Sequence, residues 1–219
     1  MRTLSLDSKA IIAKRIAEEL NDGDVVNLGV GIPTLVTSFL GDKQVYLQTE
    51  NGLLGMGPRP PIDEVDPDIV DAGKSPVTIT KGAAFFNSAD SFGMIRGGHI
   101  DVAILGTLEI DKTGEIANWA VPNQPILGVG GAMDLVAGAK KVIVASLLFS
   151  KDGSPKLVDE LTYKSSGERK VDLFVSEYAA FTFEKDGIHV IDIYGDLSIE
   201  ELSKKLNLPL IDKTVQYNA

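Results

Sequence analysis

The chain has 219 residues, of which 44% are hydrophobic and 24% charged, a balance typical of a globular protein with one well-buried core. The formal net charge of −10 leaves no basic stripe to neutralise phosphates, so nucleic acid is not an expected partner. Because there are no cysteines, disulfides, thiolate catalysis and cysteine-ligated metals are excluded. The two histidines, His99 and His189, lie far apart and form no metal-ligand spacing, so no metal site is predicted.

Hydropathy gives no indication of a membrane segment. No stretch approaches the roughly 18 apolar residues that a membrane span needs. The first fifteen residues carry charges within their apolar pattern and contain no signal-like run. We therefore expect a cytoplasmic protein that has no membrane partner.

The N-terminal quarter alternates a helix pattern with short strand patterns. Residues 8–20 place apolar side chains on one stripe, which predicts an amphipathic helix. Residues 24–28 form a short apolar run that predicts a strand, and a glycine turn then leads to a helix that begins near Pro33. Residues 45–48 predict a second strand, which ends just before Glu50.

The rest of the chain continues this alternation after one long interruption. Residues 55–81 are rich in Pro, Asp and Gly, which predicts a long loop with little regular structure that could form a substrate wall or lid. The later predictions are a helix over 88–96, a strand over 101–105, a hairpin over 108–119, a helix over 133–139, strands over 141–145, 173–176, 181–183 and 189–193, and a closing helix over 198–206 with a capping box at Ser198 and Glu201. This order predicts an α/β fold with a largely parallel sheet flanked by helices, extra strands toward the C-terminus, and a single domain over residues 1–219.

Three glycine-rich turns stand out as candidate binding elements. Glycines that precede a helix can point backbone N–H groups at an anion or a carbonyl oxygen. The first turn lacks the third glycine of a dinucleotide fingerprint, which disfavours a Rossmann site. For each turn, a purely structural role remains the alternative. The turns are Asn27–Pro33, Glu50–Pro58 and Gly128–Leu135.

Glu50 is the candidate for covalent chemistry. It follows a predicted strand, where open α/β sheets place their ligands, and the Asn51-Gly52 pair permits a sharp turn that exposes its side chain. The alternative is a solvent-facing glutamate beside a turn. If the three turns form one site without cysteine, histidine or metal, its chemistry depends on a carboxylate nucleophile and backbone dipoles. We expect such a carboxylate to be ionised and to lie near backbone donors.

The segment Thr49–Pro58 resembles the Ser-Glu-Asn-Gly signature of family I coenzyme A transferases, with Thr49 in place of the usual serine. Further elements of that family occur in the same order over residues 10–145, and the resemblance is greatest to the B (β) subunits of acetoacetate, butyrate and succinyl 3-oxoacid transferases. It implies the CoA-transferase fold, which is related to the NagB and RpiA folds. The further elements are Asn27–Pro33, Asp71–Lys74, Ile95–Asp101, Ala117–Trp119 and Gly130–Val136.

The resemblance implies a ping-pong transfer of coenzyme A through a glutamyl-CoA thioester on Glu50. Gly131 would supply an oxyanion-hole N–H, while Asn27 and Lys74 match positions near the thioester and pantetheine. Coenzyme A is then a substrate, no permanently bound cofactor is expected, and a CoA-transferase A subunit completes an A2B2 heterotetramer. The other implied substrate- or CoA-binding residues are Gly29, Gly31, Asn51 and Gly130.

Three other functions fit parts of the pattern. An acyl-CoA hydrolase on the same scaffold would let water resolve the covalent intermediate. A sugar-phosphate isomerase or a non-catalytic ligand-sensing domain could share the fold, although Arg and Lys residues other than Lys74 do not cluster at the glycine turns. The chain departs from the family pattern at residues 146–149 and 160–165, where a His-containing segment and a Cys-Thr-Leu-Pro-Leu-Thr segment are usual.

Overall fold

Ten strands form one mixed sheet in the computed structural model, which describes residues 5–121, 128–194 and 197–214. Three further strands form a small second sheet. The strands are β1 (Val25–Leu28), β2 (Tyr46–Thr49), β3 (Leu53–Met56), β4 (Ile79–Phe85), β5 (Val102–Leu105), β6 (Glu109–Asp111), β7 (Ile116–Ala117), β8 (Lys141–Ala145), β9 (Leu157–Val158), β10 (Leu173–Val175), β11 (Ala179–Glu184), β12 (Gly187–Ile193) and β13 (Leu210–Asp212). The α-helices are α1 (Ser5–Glu18), α2 (Ile32–Leu35), α3 (Ser88–Arg96), α4 (Ala132–Gly138) and α5 (Ile199–Leu206), and 3-10 turns cover Val36–Phe39 and Ile62–Glu64.

The centre of the large sheet is parallel, antiparallel pairs extend it on both sides, and the terminal strand β13 pairs parallel with β12. The strand order is β13-β12-β11-β10-β8-β5-β1-β2-β3-β4, and the run from β10 to β2 is parallel. β3 and β4 extend one side by antiparallel pairing, as do β11 and β12 on the other side. The predicted α/β class, the largely parallel sheet and the extra C-terminal strands are confirmed.

Two hydrophobic clusters cover the two faces of the sheet. Side chains alternate between them because successive residues of a strand point to opposite faces. In β8, Val142 and Val144 pack with helices α3, α4 and α5, whereas Ile143 and Ala145 pack with α1. Most of the predicted apolar stripe over residues 8–20 is buried in the second cluster, whereas Ile11 at its edge is 41% exposed.

The predicted boundaries hold closely for the elements that build these clusters. Helix α3 and strand β8 have the predicted bounds, and β6 pairs with β7 as the predicted hairpin. Helix α5 begins at the predicted capping box, in which the Ser198 side chain accepts from the Glu201 N–H and the Glu201 carboxylate accepts from the Ser198 N–H.

The prediction of a loop over residues 55–81 is wrong at both ends. Residues 55 and 56 belong to β3, and residues 79–81 begin β4, which pairs with β3. The residues of β4 are mostly exposed, so the strand lacks the alternating apolar pattern that marks a half-buried strand. Strands β9 and β13 are also absent from the prediction, since they are only two and three residues long and depend on pairing with distant segments.

Within the three described ranges, no helix combines the length and the apolar character that crossing a membrane requires.

A partly buried ion-pair cluster joins α1 to β8 and predicts a pH-dependent stability. The Glu19 carboxylate lies 2.6 Å from Arg15 Nη1 and 2.5 Å from Lys141 Nζ. Burial opposes ionisation, but the hydrogen bonds and charges of Lys141 and Arg15 outweigh it and lower the pKa of Glu19 below its ordinary 4.5. The cluster therefore contributes its full stabilisation above about pH 4.5, and the contribution is lost as the pH falls through the lowered pKa.

We expect Glu19→Gln to lower the free energy of unfolding by about 2 kcal/mol at pH 7, because Lys141 loses its described carboxylate partner and Arg15 keeps only its 3.2 Å pair with Asp192. Urea unfolding at a series of pH values should show the difference from the native chain shrinking below pH 4.5. Glu200→Gln is the matched control, since Glu200 forms an exposed pair with Lys204 and its loss should change little. Equal effects of the two substitutions at pH 7 would contradict the prediction.

Candidate active site

The three glycine-rich turns meet at one edge of the sheet. Strands β1, β2 and β5 run parallel, so their carboxyl ends lie at the same edge. The chain leaves β1 for β2, continues outward to β4 and returns to β5 on the other side of β1. This change of direction creates a crevice beyond the end of β1, the usual ligand position in open α/β sheets.

A cavity of about 390 Å³ occupies this crevice. It is lined by the ends of β1, β2 and β5 and by the turn that precedes α4. Among the described lining residues, Glu50 is the one ionisable side chain. The lining residues are Asn27, Gly29, Val30, Glu50, Ala72, Leu105, Gly106, Thr107, Leu108, Asn118, Val129, Gly130, Gly131, Ala132 and Leu135.

Glu50 is half-buried on a tight turn between β2 and β3. The turn closes through a hydrogen bond from the Gly52 N–H to the Thr49 carbonyl, and Gly52 has φ +118°, a conformation that favours glycine. The Glu50 carboxylate accepts a hydrogen bond of 3.1 Å from Asn27 Nδ2. Among the residues that the structure describes, the hydrogen-bond donor to the Glu50 carboxylate is thus a side-chain amide, whereas the sequence analysis predicts backbone N–H donors.

Gly131 lies directly beside Glu50. It is buried, with φ −85°, and it precedes α4. A Cβ atom at this position would lie 3.3 Å from Glu50 Cγ and 3.4 Å from the Phe92 ring. The absence of a side chain thus permits the backbone of the third turn to approach the carboxylate.

Five of the predicted site residues share the cavity, and three do not line it. Asn27, Gly29, Glu50, Gly130 and Gly131 come together. Gly31, Asn51 and Lys74 are exposed outside its lining.

The long loop supplies part of the cavity wall through Ala72. Its next residue, Gly73, packs near Val30 of the first turn, with a Cβ position 3.7 Å from Val30 Cγ1. Lys74 follows in a left-handed conformation with φ 60°, and its N–H donates to the Asp71 carbonyl. The predicted role of this loop as a wall is consistent with these contacts.

The sequence did not indicate several polar residues that contact the site. Gln48 and Ser91 are fully buried and connect to Asn27 by hydrogen bonds. The signal for Gln48 is its position in an apolar strand two residues before Glu50, which places both side chains on one face. Thr107 and Asn118 also line the cavity, and no sequence pattern points to them.

Behind the cavity, Ser146 of the segment that departs from the family pattern contacts the half-buried Lys156. Lys156 Nζ donates to the Thr107 carbonyl at 3.1 Å and to Ser146 Oγ at 2.9 Å. Burial lowers the pKa of Lys156 and raises the pKa of Glu177. The opposite charges of the two groups act against both shifts but do not cancel them. Leu148, in the same departing segment, is fully buried in the core.

Two other features do not compete as sites. A larger cavity of about 720 Å³ lies between the β6–β7 hairpin and the β11–β12 hairpin, but none of the predicted site residues line it. In the part of the chain that the structure describes, no three His, Asp or Glu side chains are grouped to hold a metal ion. The polar groups that the described residues bring to the crevice include the Glu50 carboxylate, the Asn27 amide and backbone groups.

A carboxylate at a strand end, beside a glycine turn in a sheet-edge crevice, is an arrangement that can attack an activated acyl group. The family model for coenzyme A transferase matches residues 9–189. The chain belongs to the coenzyme A transferase family, which confirms the resemblance seen in the sequence.

Curated relatives cover nearly the whole chain. The B subunit of a 3-oxoadipate CoA-transferase of Pseudomonas putida is 45% identical over 205 residues, which are 93% of this chain and 96% of the relative. The B subunit of a succinyl-CoA:3-ketoacid coenzyme A transferase of Helicobacter pylori is 45% identical over 194 residues, 89% of this chain and 94% of the relative. The chain is thus a CoA-transferase polypeptide of the B-subunit type.

A solved acyl-CoA transferase of Escherichia coli O157:H7 shares the fold. The TM-score is 0.74 at 24% identity, over 97% of this chain. The match spans 43% of that enzyme's chain, so this chain corresponds to less than half of it.

Proposed function

We propose that this chain, together with a second subunit, transfers coenzyme A between an acyl-CoA and a carboxylic acid, with Glu50 as the nucleophile. The observation that carries the proposal is that Glu50 is the one ionisable side chain among the described residues of the cavity lining. Its position between the Asn27 amide and the Gly131 backbone supports the same role.

The first half-reaction consists of two substitutions at carbonyl carbons, each of which forms one bond and breaks one. A Glu50 oxygen attacks the acyl-CoA carbonyl and expels the CoA thiolate, which leaves an acyl-glutamyl anhydride. The thiolate then attacks the glutamyl carbonyl and expels the donor acid as a carboxylate, so Glu50 becomes a CoA thioester. No proton is gained or lost in sum, which suits a cavity whose described lining offers no ionisable group besides Glu50.

The second half-reaction is the reverse sequence with a different acid. The acceptor carboxylate attacks the glutamyl thioester and expels the thiolate, and the thiolate attacks the acceptor carbonyl of the new anhydride. Glu50 is thereby regenerated as a carboxylate. Each attack places negative charge on a carbonyl oxygen, and N–H groups preorganised near it lower the barrier.

The glycine turns are the candidate source of those donors. We assign an oxyanion N–H to Gly131, with Gly130 shaping the approach, and substrate contacts to Gly29 at the end of β1. Asn27 would orient Glu50 and the thioester. Gly31, Asn51 and Lys74 lie on exposed turns outside the cavity lining, so we assign them to the more distant CoA chain rather than to the reacting carbonyl.

The second polypeptide in this proposal is a CoA-transferase A subunit, in an A2B2 heterotetramer. The relatives named as B subunits support such a partner. Exposed apolar residues beside the cavity support its placement there, since Val30 is 61% exposed and Met133 is 41% exposed. The names of the relatives support a 3-oxoacid or a dicarboxylic acid as one substrate of the pair.

An acceptor-dependence assay tests the function. The complex of this chain with its A subunit is given acetyl-, succinyl- or butyryl-CoA, with and without an acceptor such as acetoacetate or 3-oxoadipate. We expect sustained consumption of acyl-CoA only when an acceptor is present, with the acceptor's CoA ester as product. Consumption at the same rate without any acceptor would show a hydrolase instead.

Gly131→Ala provides a local test of the glycine turn. The backbone at φ −85° tolerates alanine, but the new Cβ would press on Glu50 Cγ and the Phe92 ring. We expect the transfer rate to fall by about 10- to 100-fold, because small displacements of a reacting group carry large kinetic costs. The free energy of unfolding should change by less than about 1 kcal/mol.

Gly93→Ala is the matched control for this substitution. Gly93 lies on α3 next to Phe92, and a Cβ there meets no atom within 4 Å. Steady-state kinetics of the two variants should therefore differ sharply. Normal turnover in Gly131→Ala would contradict the role assigned to this glycine in the proposed site.

A further inference from the structure

A buried polar chain runs behind Glu50 and ends at a helix. Asn27 Nδ2 donates to Glu50 Oε2 at 3.1 Å and to Gln48 Oε1 at 2.8 Å. Gln48 Nε2 donates to Ser91 Oγ at 2.8 Å. Asn27, Gln48 and Ser91 are only 1%, 3% and 0% exposed.

Sheet register brings these residues together. Asn27 of β1 and Gln48 of β2 are direct partners in a parallel pair, so their side chains lie side by side on one face. The neighbours Val26, Leu28 and Leu47 pack on the opposite face, with α1. Asn27 and Gln48 therefore point to the face that α3 covers, where Ser91 meets them.

The hydrogen-bonding capacity of each group fixes the direction of the chain. The Glu50 carboxylate and the Gln48 main-chain carbonyl only accept, so Asn27 must present its NH2 group to both, and its two protons are shared among these two acceptors and Gln48 Oε1. The Gln48 side chain must then present its oxygen to Asn27 and its NH2 group to Ser91. A flip of either amide would set donor against donor or acceptor against acceptor in a buried site.

The chain also closes on the backbone of the nucleophile's turn. The Ser91 hydroxyl donates to the Thr49 carbonyl at 3.4 Å, immediately before Glu50. The same carbonyl accepts from the Gly52 N–H, which closes the turn. Glu50 is thus held through its side chain by Asn27 and through its backbone by Ser91, with Gln48 as the link.

We infer that Gln48 and Ser91 are positioning residues that hold the Asn27 amide, and through it the Glu50 carboxylate, in the orientation for attack. The inference rests on the proposed function of Glu50. Neither residue lines the cavity, so neither contacts the reacting atoms. Their loss should therefore reduce the rate of the chemical step more than substrate affinity.

The kinetic test uses Ser91→Ala and Gln48→Met in the complex with the A subunit. Each substitution removes the hydrogen-bonding group of its side chain. The new side chain is of similar size in Gln48→Met and smaller in Ser91→Ala. We expect kcat to fall by about 10- to 100-fold, with KM for acyl-CoA within roughly twofold of the native value. Ser176→Ala is the control, because Ser176 is equally buried and hydrogen-bonded to a carbonyl but lies at the end of β10, outside the cavity lining. An unchanged kcat in Ser91→Ala, or a loss confined to KM, would overturn the inference.

A second measurement does not depend on activity. In nuclear magnetic resonance spectra of the full chain, the Asn27 side-chain amide protons, identified by their absence in Asn27→Asp, should be protected from solvent exchange. Ser91→Ala should remove that protection, whereas Ser176→Ala should preserve it. Retained protection in Ser91→Ala would refute the positioning role even if Gln48→Met failed to fold. If the native complex transferred no CoA but the protection pattern were as expected, the proposed function alone would fail.

Discussion

Glu50→Gln should abolish CoA transfer while leaving the fold intact. The substitution keeps the size of the side chain but removes the oxygen that attacks the acyl carbonyl, and no other ionisable group among the described lining residues can replace it. We expect kcat to fall by a factor on the order of 10⁴ or more in the complex with the A subunit. Because Glu50 is half-buried and forms one described hydrogen bond, thermal unfolding should shift little.

Glu64→Gln is the matched control for this experiment. Glu64 lies in the 3-10 turn of the long loop, is exposed and does not line the cavity. The same loss of charge there should leave kcat and KM unchanged. A Glu50→Gln enzyme with native turnover would exclude Glu50 as the nucleophile.

Gly52→Ala should produce the largest loss of stability among single glycine substitutions near the site. Gly52 has φ +118°, and a Cβ there would lie 1.9 Å from the Phe86 carbonyl oxygen, which is main-chain and cannot rotate away. Backbone strain and this clash together should lower the free energy of unfolding by about 3 kcal/mol or more. Because Gly52 shapes the turn that carries Glu50, the folded fraction should also lose transfer activity.

Gly82→Ala separates the two causes. Gly82 has a similar positive φ of +87°, but nothing lies within 4 Å of a Cβ at that position. In urea unfolding, Gly82→Ala should lower the free energy of unfolding by about 1 kcal/mol, from backbone strain alone. Equal losses in both variants would mean that the Phe86 contact does not constrain the turn.

The central sheet and the meeting of the glycine turns could be predicted from local patterns. Short apolar runs marked β1, β2, β5 and β8, and parallel strands bring their carboxyl ends to one edge. In the structure, Asn27, Glu50 and Gly131 line one cavity at this edge. The family resemblance over the same segments is confirmed by the match to the family model.

The parts that escaped prediction depend on contacts between distant segments. β4 is an exposed edge strand, so its identity comes from pairing with β3 rather than from its own hydropathy. The link from Gln48 to Ser91 requires the register of β1 against β2 and the position of α3, neither of which a single segment specifies. The exposed positions of Lys74 and Asn51 likewise result from turn geometry beyond the cavity.

The most direct measurement is chemical trapping of the CoA thioester on the Glu50 side chain. The complex is mixed with acyl-CoA in the absence of an acceptor acid, treated with borohydride, digested and analysed by mass spectrometry. The account predicts reduction of one glutamyl thioester to an alcohol, on Glu50 alone, and only when acyl-CoA is present. A modification on another residue, or turnover without any modification of Glu50, would contradict it.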